Sequence, residues 1–207
     1  MSEKKLGMLI DLALCIGCNA CVVACKQENA VPLTCFNTWI ESWDAKSESG
    51  VRRVNMPKLC NHCEDAPCVR VCPTGASYKA EDGTVQVDPE KCIGCKYCMA
   101  ACPYQARYQL ESGEVEKCTF CHHRSSQGML PACVATCVTH ARYFGDLNDP
   151  DSDISKKLAE KGGEALYADL GLNPSVFYVG LSETNAMPVA SAVHRGGNVV
   201  KPYEGVN

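Results

Sequence analysis

No run of about 18 consecutive apolar residues occurs in this 207-residue chain, so the sequence offers no helix to span a bilayer. Nor is a secretory leader expected from the opening residues. Met1 to Gly7 is charged, and the apolar run from Met8 to Leu14 carries Asp11 and leads straight into Cys15. The chain is therefore expected to have no export signal of its own. It has no glycine-rich nucleotide-binding pattern and no nucleophile–base motif, which argues against an enzyme with its own substrate site. Positive charge is in deficit, 20 Lys and Arg against 24 Asp and Glu, for a net charge of −4 and a pI near 5.7. That balance argues against nucleic acid as the main partner.

What the chain does have is cysteine, 17 residues of it. Such density arises from disulfides, zinc or iron–sulfur clusters. Sixteen fall into four groups of four: Cys15, Cys18, Cys21, Cys25; Cys60, Cys63, Cys68, Cys72; Cys92, Cys95, Cys98, Cys102; and Cys118, Cys121, Cys133, Cys137. The third group, followed by Pro103, has the C-x2-C-x2-C-x3-C-P spacing of a bacterial ferredoxin loop. Three thiolates on a tight loop reach one cubane, while the fourth lies a helical turn away and serves a different cluster. Gly94 permits the close wrap and Pro103 ends the helix.

Zinc favours paired C-x2-C knuckles but has no need of x2-x2-x3 followed by proline. The expectation is four [4Fe–4S] clusters with every ligand supplied. A brown colour would separate this from the rival reading, a zinc-stabilised scaffold. Crossed pairing predicts Cys92, Cys95, Cys98 with Cys72, and Cys60, Cys63, Cys68 with Cys102. It likewise predicts Cys15, Cys18, Cys21 with Cys137, and Cys118, Cys121, Cys133 with Cys25.

Between the groups the pattern predicts strands over 6–14, 36–43, 51–59 and 176–179, with a polar turn at 45–50. It predicts a helix over 19–29, a helix begun by Pro67, and a helix from Asp149 to about Lys161 ended by Gly162-Gly163. Hairpins are expected at Asp82-Gly83 and Ser112-Gly113, and a surface loop over 122–132. The fold class is α+β: two ferredoxin-like modules of two clusters each, the second inserted between the halves of the first. The halves are 1–58 and 117–180, the inserted module 59–116, and 181–207 is an extended tail, lying on a partner or disordered.

Outside the groups, Cys35 reads as a small buried hydrophobe. His62, His122 and His123 are expected to tune clusters or face solvent rather than bind metal. Lys26, Lys58, Lys91, Lys96 and Lys117 lie near ligands and are candidates for raising cluster potential, or are simply solvated. Trp39 and Trp43 read as packing residues.

With these groups in place the chain resembles the iron–sulfur subunits of molybdopterin oxidoreductases, such as dimethyl sulfoxide, polysulfide, thiosulfate and respiratory arsenate reductases, and the polysulfide/thiosulfate type most of all. The segments that carry it include MLIDLALCIGCNACVVACKQEN at 8–29, LCNHCEDAPCVRVCPTGASY at 59–78, VDPEKCIGCKYCMAACPYQARY at 87–108, KCTFCHHR at 117–124 and PACVATC at 131–137. Val138 departs from the pattern, which has proline after that cysteine. The resemblance implies a non-catalytic subunit carrying electrons between a molybdopterin catalytic subunit and a quinone-reactive membrane subunit. It also implies a place on the outer, periplasmic face of the cytoplasmic membrane, held there by partners and exported with a signal-bearing one. The alternative is a cytoplasmic polyferredoxin-like subunit of a formate dehydrogenase or hydrogenase-type complex.

Overall fold

The structure, a computed structural model, describes residues 4–47 and 50–184. Strand β1, Leu6–Asp11, is buried at every position and lies inside a four-stranded sheet. A strand covered on both faces needs no polar alternation, which is why LGMLI is continuously apolar. β1 pairs antiparallel with β8, Arg142–Asp146, and parallel with β10, Val176–Val179. The two-residue β9, Glu164–Ala165, completes the order β8-β1-β10-β9. Strands from the start of the chain and from beyond the fourth cysteine group therefore share one sheet. Helix α6, Asp153–Lys161, packs on it, and Lys161 Nζ meets Asp11 Oδ2 at 2.8 Å.

Between β1 and β8 the chain forms hairpins and short helices. Helix α1, Ala20–Glu28, precedes a long hairpin of β2, Thr38–Ser47, and β3, Gly50–Leu59; β3 is exposed over its first four residues and buried toward Leu59. Two hairpins with three-residue strands follow: β4–β5, Ser77–Lys79 with Val85–Val87, and β6–β7, Arg107–Gln109 with Val115–Lys117. The four-residue helices α2, Pro67–Arg70, α3, Tyr97–Ala100, α4, His122–Ser125, and α5, Ala132–Ala135, supply the remaining turns.

The structure differs from the sequence expectation in several places. The predicted turn at 45–50 is narrower, because the β2–β3 ladder runs on to Ser47↔Gly50. The last helix starts at Asp153, not Asp149. Asp149 Oδ1 accepts the Asp151 N–H at 2.9 Å, an Asx turn that competes with helix, and Ser152 provides the cap by accepting from Ser155 N. The predicted loop over 122–132 contains α4, and β8 and β9 are strands the sequence reading did not anticipate. Of the predicted tail, Ser182–Thr184 is a 3-10 turn, and 185–207 lies outside the described residues. Among the described residues no helix is long and apolar enough to cross a membrane.

Candidate metal centres

Each cysteine loop contains residues with positive φ, the conformation that turns successive N–H groups toward one point. They are Gly17 and Asn19 in the first loop, His62 in the second, Gly94 and Lys96 in the third, and Phe120 and Cys121 in the fourth. The third cysteine of each group then lies on a helix: Cys21 on α1, Cys68 on α2, Cys98 on α3 and Cys133 on α5.

The thiols gather across groups. One cavity is lined by Cys25 together with Cys118, Cys121 and Cys133, and another by Cys72 together with Cys92, Cys95 and Cys98. Asn29 Nδ2 lies 3.5 Å from Cys25 Sγ and 3.6 Å from Cys121 Sγ, joining the first set. For thiols outside these two cavities the neighbouring charges show which lie close together. Burial, and then the charges of Cys60, Cys102 and Cys68, push the Cys63 thiol up to about 12. Cys15 is raised chiefly by burial, with contributions from Cys21 and Cys137. Among the described residues no three His, Cys, Asp or Glu side chains converge tightly enough for a single metal ion. Zinc would need four thiolates about 2.3 Å from one point. Thiols ringed around a cavity fit a polynuclear iron–sulfur group instead.

The surroundings suit anionic sulfur. Backbone N–H groups of Val115, Ser77, Phe120 and Ala141 donate to Cys92, Cys72, Cys118 and Cys137 at 3.4, 3.4, 3.4 and 3.3 Å. At Cys72 burial opposes the thiolate, but the donors from Ser77, Thr74 and Ala76 outweigh it and the pKa falls. In the interior burial wins. It carries Cys25 to about 12 and Cys102 to about 11, with neighbouring thiolates adding to the rise. Positively charged iron is what such thiols require before they give up their protons.

Sequence reading missed the two side chains that reach furthest into the sites. Arg107 Nη2 donates to Cys68 Sγ at 3.1 Å and to Ser77 Oγ at 2.7 Å. Arg142 Nη2 donates to Cys21 Sγ at 3.4 Å and to Thr38 Oγ at 3.1 Å. Both arginines are buried. A signal was available: each stands five residues past the fourth cysteine of its group (107 − 102 and 142 − 137), in the repeated tripeptide Ala-Arg-Tyr.

The flagged lysines divide. Lys117 and Lys58 are buried, the first donating to the carbonyls of Val85 and Cys118, the second paired with Glu41 at 2.8 Å. Lys26 caps the carbonyls of Pro32 and Leu33, Lys91 pairs with Asp88, and Lys96 is the left-handed residue before α3. His62 is fully buried, stacked 3.8 Å from Phe120, and accepts the Val85 N–H. His122 and His123 are exposed and face Asp82 and Glu28. Cys35 packs with Val31 and Tyr108, apart from the four sets.

Comparison with known proteins agrees with the chemistry of these sites. Two family profiles, each described as a 4Fe-4S dicluster domain, match residues 51–147 and 14–76. The B subunit of tetrathionate reductase from Salmonella typhimurium is 44% identical over 192 residues, covering 90% of this chain and 77% of the relative. The B chain of polysulfide reductase from Wolinella succinogenes is 45% identical over 181 residues, covering 85% and 94%. The B subunit of sulfite dehydrogenase from Allochromatium vinosum is 42% identical over 199 residues, covering 84% and 82%. With its two 4Fe-4S dicluster domains, this protein belongs to the family of iron–sulfur B subunits of molybdopterin oxidoreductases.

Proposed function

We propose that this chain is the electron-transfer subunit of a respiratory oxidoreductase and carries four [4Fe–4S] clusters in a row. The ligand sets are Cys15, Cys18, Cys21, Cys137 (site 1); Cys25, Cys118, Cys121, Cys133 (site 2); Cys60, Cys63, Cys68, Cys102 (site 3); and Cys72, Cys92, Cys95, Cys98 (site 4). The observation that carries this is the pair of cavities, each ringed by three thiols of one group and the fourth of another. In this reading the segment 59–116 forms a module between the halves 1–58 and 117–180.

The order we infer rests on Arg107, which donates to Cys68 of site 3 and lines the site 4 cavity, and is supported by charges acting across sets, Cys21 on Cys25 and Cys133, and Cys60 on Cys118. The row thus reads 1-2-3-4. Its ends reach the surface, because Cys18 and Cys95 are exposed whereas every site 2 cysteine is buried. When bound, each cluster supplies one reversible electron. The protein's own residues hold it, keep water from the interior thiols and present exposed apolar residues at each end, Ile16 and Val138 at one and Ile93 and Tyr97 at the other. With all four iron corners bound to thiolate, no position is open to a substrate.

The partners are a molybdopterin-containing catalytic subunit and a quinone-reactive membrane subunit, on the outer face of the cytoplasmic membrane. The formate dehydrogenase or hydrogenase-type alternative is less well supported, since the relatives are named for tetrathionate, polysulfide and sulfite enzymes. Anaerobic iron and sulfide analysis tests the assignment. About sixteen irons per chain are expected from four cubanes, with the purified chain reducible by dithionite but turning over substrate only after the catalytic partner is added. Stoichiometric zinc, or robust turnover without that partner, overturns it.

A further inference from the structure

Three cations are buried in this chain without a carboxylate partner among the described residues: Arg142, Lys117 and Arg107. Burying a lone cation costs several kcal/mol or more unless compensating negative charge lies near. All the compensation here comes from sulfur and neutral oxygen. We propose that these three side chains form a ladder with one cation at each junction between successive clusters, so that each raises the reduction potential of the two clusters it separates.

The geometry is most complete at Arg107. Its Nη2 donates to Cys68 of site 3, while Nη1 is buried without any partner and the side chain lines the cavity ringed by Cys72, Cys92, Cys95 and Cys98, which is site 4. A buried guanidinium N–H left without an acceptor is rare. A cluster sulfur in that cavity is the acceptor it lacks. The surrounding charges agree: burial works against the Arg107 cation, but the thiolates of Cys68, Cys60, Cys98 and Cys102, drawn from both sites, reverse the balance.

Arg142 repeats the arrangement between sites 1 and 2. It donates to Cys21 and lies within reach of the Cys133 charge. Ser77 and Thr38, the first residues of β4 and β2, play the same part, each fixing its arginine through a hydroxyl. Lys117 takes the middle junction, where its Nζ donates to the Cys118 carbonyl at 2.8 Å; burial and the nearby Arg107 charge lower its pKa, against the opposing pull of Cys60 of site 3 and Cys118 of site 2. It stands directly across the β6–β7 ladder from Arg107, so one hairpin delivers two of the three cations to the same face.

The physical consequence concerns electrons in transit. Reducing a cluster adds one negative charge to an already anionic site, and a second electron next door is repelled by the first. A fixed cation between the two sites is attracted to both charges in a low-dielectric interior, where Coulomb energies are least screened. Arg is suited to this because its fork reaches two acceptors and it does not lose its proton.

The inference rests on the ligand sets proposed above, and the test separates the two. Arg107→Gln and Arg107→Lys are made in the full chain, loaded anaerobically, assayed for iron, and titrated electrochemically with electron paramagnetic resonance. Arg107→Gln is expected to keep its iron while two of the four centres become harder to reduce. Their reduced-to-oxidised ratio at a fixed ambient potential should fall at least tenfold, about 59 mV for a one-electron centre, and Arg107→Lys should recover most of the shift. Full iron with unmoved potentials, or an equal shift of all four centres, overturns the ladder while leaving the ligand sets intact. A wild-type chain with far fewer than sixteen irons overturns the ligand sets instead. Should Arg107→Gln lose iron, Lys117→Gln is read in its place: a shift confined to two centres supports the ladder, and no shift at full iron overturns it.

Discussion

The two proposed sites beside the β8-β1-β10-β9 sheet and the two beside the β4–β5 and β6–β7 hairpins use the same chemical parts on very different scaffolds. In each, an arginine joins a hydroxyl to a helix cysteine: Arg142 with Thr38 and Cys21, Arg107 with Ser77 and Cys68. In each, a threonine two residues after the fourth cysteine approaches its sulfur, Thr74 at 3.7 Å from Cys72 and Thr139 at 3.8 Å from Cys137. The first pair leans on a sheet whose Met8, Ile10, Val176 and Tyr178 are fully buried. The second pair has strands of three residues, from which Val85 and Val115 reach the same buried core. A two-stranded hairpin is marginal in water. That half shares the buried core of the other through Val85, Ala106 and Val115, and the proposed clusters would add to its smaller share.

Iron removal should break this symmetry most. After anaerobic chelation, amide hydrogen exchange is expected to lose protection in β4–β7 almost entirely, while Leu6–Asp11 and Val176–Val179 keep measurable protection. Uniform loss across both halves would show that the sheet also depends on metal.

A smaller and sharper contrast comes from the two Cys-Ile-Gly-Cys loops. Gly17 and Gly94 both have positive φ, at 72° and 66°. A Cβ on Gly94 would meet the Gly113 carbonyl oxygen at 2.4 Å, whereas on Gly17 it would meet the Asn55 side chain at 2.6 Å. Backbone cannot step aside as a side chain does. Each alanine pays about 1–2 kcal/mol for its left-handed conformation, and Gly94→Ala should lose more stability, and more iron, than Gly17→Ala in parallel denaturation and iron assays. Equal losses would mean that the β6–β7 turn yields as readily as Asn55.

The smallest effect is expected from Cys35→Ala. Cys35 packs with Val31 and Tyr108 and belongs to neither half's ligand sets. Iron content and the redox spectrum should stay within error of wild type, with a stability loss on the order of 1 kcal/mol. Loss of a whole cluster would make Cys35 a ligand and redraw the comparison.

These contrasts also show what the sequence could reveal. The turns at Asp82-Gly83 and Ser112-Gly113 were legible because Gly83 and Gly113 are needed at φ 76° and 109°. The start of α2 was legible from Pro67, which its first helical position tolerates. Strand β8 was not. RYFGD has no alternation to betray it, and it becomes a strand only because β1 offers a partner more than a hundred residues away. The arginines were hidden for a related reason. A cation beside an anionic site reads from sequence like any solvated side chain, and the lysines nearest the cysteines drew attention although Lys91 only pairs with Asp88 at the surface.

The pairing of β1 with β8 has a consequence for how the protein is made. The first cysteines to leave the ribosome are the last to be completed. With the ligand sets proposed above, site 4 has its full complement at Cys98 and site 3 at Cys102, but site 2 waits for Cys133 and site 1 for Cys137. Between Cys21 and Cys137 lie 116 further steps of synthesis (137 − 21), roughly 6–23 s at about 5–20 residues per second. Through that interval Cys15, Cys18 and Cys21 form an open three-thiol claw just after β1, whose partners β8 and β10 are not yet made, so the order of birth along the chain is the reverse of the order in which sites 1 to 4 become ready for iron.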